Sequence, residues 1–204
     1  DGCIIINEDI FPFSMDTIYK YHGKTSNNGW YLQQLLKLYA GFIIPDILDN
    51  YLVIDSDTFF LKPTIFIEDD KLLYNYGTEY HKEYFNHMKC LLPYLVKVAE
   101  DKSGICHHMI FNKSIIKDLF KRVEDHYNNI NDVNKNFYDI FLMMVNESFR
   151  NGSGASEYEI YFNFIQLFYK NNMKIRKLEW INNSSTNINN NNLDYISCHH
   201  YMRR

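Results

Sequence analysis

The residues best suited to chemistry are Asp55 and Asp57, in the stretch YLVIDSDTFFLKP over residues 51–63. Two carboxylates at i, i+2 follow a wholly apolar run and precede Phe59-Phe60. In open α/β sheets, ligands sit outside the carboxyl ends of strands. Hard oxygen donors at such a place suit Mg²⁺ or Mn²⁺, ions that also bridge phosphate oxygens. A divalent ion there would neutralise a diphosphate and let it leave with its charge. An Asp-rich turn has the same spelling, with Asx side chains capping backbone N–H groups.

Other side chains are candidates by type and spacing. Gln34 and Lys37 are i, i+3 neighbours on one face of a predicted helix. The lysine could serve a phosphate as a point charge, or the pair could be a solvated face. Trp30, on the same helix, reads as a packing anchor. His107 and His108 are consecutive on a predicted strand, so they point to opposite sides and only one can face a site. His199 and His200 obey the same parity, which puts Ser197 with His199. Cys-His-His thus occurs twice, at 106–108 and 198–200. C-x-H is not a usual zinc-finger spacing, and an unpaired Cys is commonly just buried. Glu157 follows the turn Asn151-Gly152-Ser153-Gly154 at a helix start. A carboxylate there could be a general base, an acceptor-binding group, or a complement to the helix dipole.

The elements that must hold these groups alternate in type. Apolar positions Leu32, Leu35, Leu36, Tyr39, Phe42 and Ile43 recur at helical spacing and predict a helix over 30–43. Residues 3–6 (CIII) and 51–54 (YLVI) read as buried strands, the second parallel to its neighbours. Further strands are predicted at 59–62, 71–76, 104–111, 173–180 and 194–200. Helices are predicted at 80–99 (interrupted at Pro93), 114–127, 137–149 and from Ser156 to about Lys170, the last opened by an S-x-x-E capping box with Glu159. The Asn-rich stretch 182–192 reads as a loop. Strands alternating with helices, without a repeat, make an α/β fold.

Composition sets the outer limits. The chain has 204 residues, the length of one domain. Its net charge of −4 argues against nucleic acid as a partner, since phosphate binding wants clustered Lys and Arg. No apolar run approaches a membrane span and no leader is visible, so the expected location is cytoplasmic (a host's cytoplasm, if the source is a virus). Four widely spaced cysteines do not make a disulfide framework.

Four ordered segments carry a family resemblance: GWYLQQLLKL (29–38), YLVIDSDTFFLKP (51–63), SGICHHMIFNK (103–113) and SEYEIYFNF (156–164). They resemble the DxD-containing, nucleotide-sugar-dependent glycosyltransferases of GT-A fold, and more narrowly a little-characterised group from bacteria and large viruses. The resemblance implies a GT-A-like fold, a mixed, mainly parallel sheet flanked by helices. It implies transfer of a sugar from a sugar nucleotide to a hydroxyl of a glycan, protein or small-molecule acceptor, with Mn²⁺ or Mg²⁺ as cofactor. Asp57 would bind the metal directly, Asp55 the metal or the ribose, and His199 or His200 would be a further ligand. Gln34 and Lys37 would face the donor, Glu157 would be the catalytic carboxylate, and His107, His108 and Tyr158 would build the acceptor side. GT-A enzymes carry nucleotide-binding strands before the DxD strand, so the chain, which starts at Asp1, is expected to lack part of its donor side. The alternatives in other classes are a non-catalytic carbohydrate- or nucleotide-binding protein and a metal-dependent phosphoester hydrolase. The hydrolase would bring further acidic ligands at later strand ends, where this sequence has Cys and His.

Overall fold

The structure is a computed structural model, and it describes residues 2–184, 192–199 and 202. Its elements run α1 (Met15–His22), α2 (Asn28–Ile43), β1 (Asn50–Ile54), β2 (Thr58–Phe60), β3 (Ile67–Glu68), β4 (Lys71–Tyr74) and α3 (Lys82–Leu91). They continue with β5 (His108–Asn112), α4 (Lys113–Asn131), α5 (Phe137–Met143), α6 (Glu157–Phe168), β6 (Met173–Ile175), β7 (Trp180–Asn182) and β8 (Tyr195–Ser197). This is a mixed α/β architecture.

The centre is α6. Every residue from Glu157 to Ile165 is buried, so this part of the helix needs cover on every side. It receives that cover from α2, α3 and α4, which all pack against it. Ser156 caps it, with Oγ accepting from the Glu159 N–H at 3.3 Å. The predicted capping box is only half made. The Glu159 carboxylate instead accepts from Ser103 Oγ at 2.5 Å and from Asn163 Nδ2 at 2.9 Å. A fully buried carboxylate needs such partners, and burial still pushes its pKa up.

The sheets depart from the expectation of one mainly parallel sheet. Among the described residues, β1 pairs only with β5, β2-β8-β7 form a second sheet and β3-β4-β6 a third. Three pairings are antiparallel (β1–β5, β2–β8, β3–β4) and two parallel (β4–β6, β7–β8). The strand over 51–54 is therefore antiparallel to its partner. An apolar run marks a buried strand but does not carry its direction, which tertiary pairing decides. Residues 3–6 form no strand, and Ile4 and Ile5 are among the most exposed apolar side chains. The predicted 173–180 strand divides into β6 and β7, and the predicted 137–149 helix stops at Met143 before a single 3₁₀ turn, Glu147–Phe149. Part of the 182–192 stretch lies outside the described residues.

Candidate active-site cleft

Register brings the chemistry together. In the β1–β5 pair, Ile54 lies opposite His108, so the next residue of β1 meets the residue before β5. The Asp55 N–H donates to the His107 carbonyl at 2.9 Å, and His107 Nδ1 lies 3.3 Å from Asp55 Oδ2. In the β2–β8 pair, Thr58 lies opposite Ser197. The Cys198 N–H donates to the Asp57 carbonyl at 2.8 Å, and His199 Nδ1 lies 3.1 Å from Asp57 Oδ2. Each carboxylate of the D-x-D thus receives the middle histidine of one Cys-His-His tripeptide. The two imidazoles meet each other, with ring centroids 4.7 Å apart.

His107 reaches this position through a left-handed backbone, φ +60°. That conformation costs a residue with a Cβ free energy, and such strain collects at functional sites. It also separates the histidine pair. His107 turns to Asp55 and Trp180, whose ring centroid is 5.0 Å away. His108 packs among Phe60, Phe66 and Tyr195. There, burial lowers the His108 pKa to about 4 and keeps the ring neutral. His108 is thus a core residue and does not line the cleft with the other candidates, contrary to its expected acceptor role.

The floor comes from α2 and α6. Lys37 Nζ bridges Asp55 Oδ1 at 2.6 Å and Glu157 Oε1 at 2.7 Å, and it sits 4.3 Å from the centre of the Tyr158 ring. The Tyr158 hydroxyl donates to Asp55 Oδ1 at 3.0 Å. Burial alone would raise the Asp55 pKa, but the His107 hydrogen bond and the Lys37 ammonium override it and hold the carboxyl at about 2. Burial would likewise lower Lys37, and the Glu157 and Asp55 charges outweigh it, so its pKa is raised. The Tyr158 phenol is pushed well up, by burial first and then by the Asp55 charge. Gln34 is buried and spends both ends of its amide on the start of α6. Its Nε2 donates to Ala155 O at 3.0 Å, and its Oε1 accepts from the Glu157 N–H at 3.1 Å. The start of a helix leaves such N–H groups unpaired, and Gln34 supplies one with a partner.

These groups line one cavity of about 430 Å³. Asp55, Asp57, Gln34, Lys37, Glu157, Tyr158, His107 and His199 all border it. His200 lies outside the described residues. The cavity also takes in Trp30, Gln33, Glu79, Tyr84 and Asn182. Of these, Glu79, Tyr84 and Asn182 have no motif around them to find them by. Ser197, whose Oγ lies 3.3 Å from Asp57 Oδ1, was within reach of strand parity with His199. Cys106 and Cys198 are buried, and burial raises the Cys106 thiol to about 12, which makes it inert.

Fold and site together define a mixed α/β protein with an acidic, histidine-flanked cleft of ligand-binding size. The chain belongs to a family of unknown function (DUF6492), which matches residues 1–195. No curated protein matches it. No helix among the described residues is long and apolar enough to cross a membrane.

Proposed function

We propose that the protein is a metal-dependent glycosyltransferase of GT-A-like organisation, which moves a sugar from a sugar nucleotide to an acceptor hydroxyl. The observation that carries the reading is the meeting of D-x-D, Lys37, Glu157 and His199 in one cleft, from four separate parts of the chain.

The donor set suits a divalent cation. Among the described residues, four carboxylates (Asp55, Asp57, Glu79, Glu157) line the cleft against the single ammonium of Lys37. Among the described residues, no three His, Cys, Asp or Glu converge as ligands. Mg²⁺ and Mn²⁺ need no such cage, because they take one or two protein ligands and fill the rest with phosphate oxygens and water. Asp57 with His199 would hold the ion. Asp55 is committed to Lys37, Tyr158 and His107 and is better placed to orient that wall than to bind metal. When bound, the ion would supply positive charge to the leaving diphosphate. Glu157 would accept the acceptor's proton, with Lys37 fixing the carboxylate in place. A carboxylate tied to three donors and held at a pKa of about 2 makes a poor nucleophile, which disfavours a hydrolase built on Asp55.

Calorimetric titration of UDP-, GDP- and ADP-sugars tests the reading. Binding of at least one donor is expected in Mn²⁺ and not in chelator, with affinity lost by tenfold or more in Asp57→Ala. Equal binding with chelator would overturn the metal-dependent site.

A further inference from the structure

We propose that the acceptor is an extended oligosaccharide, whose distal sugars lie in a second groove beyond Trp30. The proposal rests on the glycosyltransferase reading and names the substrate class of that same site. The groove has a volume of about 510 Å³ and runs along the start of α2, where Met15, Asn27, Gly29 and Leu36 line it. Trp30 and Gln33 border both this groove and the cleft, so the two spaces meet at these side chains.

Three observations select the occupant. The Trp30 indole is half-buried and its N–H donates to Ala155 O at 3.3 Å, so the ring is fixed to the backbone that leads into Glu157. A fixed indole offers an apolar plane to the C–H face of a sugar at little cost in side-chain entropy. Beside it stand the amide side chains of Gln33, with donors and an acceptor for hydroxyl groups, and of Asn27, whose Nδ2 donates to the Gly152 carbonyl and whose Oδ1 can accept from a hydroxyl. Among the described residues, the one charged lining residue is Glu8, which repels a phosphate or nucleotide. The anionic donor is thereby directed to the Asp57 end, and a neutral polyhydroxyl chain suits the groove.

Gly29 provides a clean test. A Cβ added there meets nothing within 4 Å. Gly29→Phe therefore adds a ring at the groove from a Cβ that meets no protein atom, whereas Trp30→Ala removes the platform. Saturation-transfer NMR on the full chain would use maltotriose, cellotriose and chitotriose beside their monosaccharides. At least one trisaccharide is expected to bind tenfold or more tightly than its monosaccharide, and both variants should remove that difference. Donor hydrolysis by Gly29→Phe should stay within twofold of wild type. Binding of no trisaccharide, equal binding of the monosaccharide, or binding that survives Gly29→Phe would overturn the groove. Donor hydrolysis without trisaccharide binding sinks this inference alone. Trisaccharide binding without donor hydrolysis upholds the groove and sinks the transferase reading.

Discussion

Lys37 stands between two carboxylates that share one buried floor. Without its ammonium, Asp55 and Glu157 would be left with uncompensated charge, a loss that costs about 3–5 kcal/mol when a buried ion pair is broken from one side. Lys37→Met should therefore lower stability by that order, read as a shift in urea midpoint at constant slope. Adding Glu157→Gln should return part of the loss, because the two changes touch the same interaction. Additive losses would mean that the bridge at 2.6 and 2.7 Å carries no coupling. At this scale the sequence was informative about residue types and silent about pairing. The D-x-D announced two carboxylates, but the assignment of Asp55 to Lys37 and His107, and of Asp57 to His199, depends on strand register. Register is a long-range property that no local spacing encodes.

At the scale of elements, the cleft depends on how α2 meets the start of α6. Gln34 joins them through two hydrogen bonds inside the protein. Gln34→Leu keeps the size but leaves the Glu157 N–H without a partner and the Ala155 carbonyl with only the Trp30 indole N–H, at about 1–3 kcal/mol. It should lower the melting temperature and also reduce donor turnover, because Glu157 loses its backbone anchor. Unchanged turnover in a destabilised variant would separate Gln34 from the site. The α2 helix was legible because its apolar residues repeat at helical spacing over four turns. Its neighbours were not equally so. CIII at 3–6 has the composition of a core strand, yet composition cannot supply the partner strand that would bury it. The split between His107 and His108 was legible as parity, but the left-handed turn that sends His107 toward Asp55 was not.

For the whole molecule, buried histidines set the response to acid. His87 is fully enclosed and its Nε2 lies 2.9 Å from the Phe141 carbonyl, while His22 makes the same contact with Leu142. Burial lowers both, His87 to about 4. The unfolded chain takes up these protons near pH 6.5 and the folded chain only at lower pH, near 4 for His87, so stability falls as pH drops below 6.5. For His87 the full loss is on the order of 3 kcal/mol. Asp55 adds to the loss lower down, between its unfolded value of 3.8 and about 2. Glu159, raised by burial, works in the opposite direction. Urea titrations from pH 7.5 to 4.5 should show this decline, with a shallower slope in His87→Asn. The mixed α/β class was readable from the alternation of elements. The division of the described residues into three small sheets was not, because strand direction and partner are decided by packing over the whole chain.

The most direct test of the proposed metal-dependent transfer is a turnover assay. Nucleoside diphosphate release would be followed from a panel of sugar nucleotides while Mn²⁺ is titrated, in wild type and Asp57→Ala. Release that rises with Mn²⁺ in wild type and falls by at least a hundredfold in Asp57→Ala is the predicted result. Mn²⁺-dependent release that is undiminished in Asp57→Ala, or no release from any donor at saturating Mn²⁺, would contradict it.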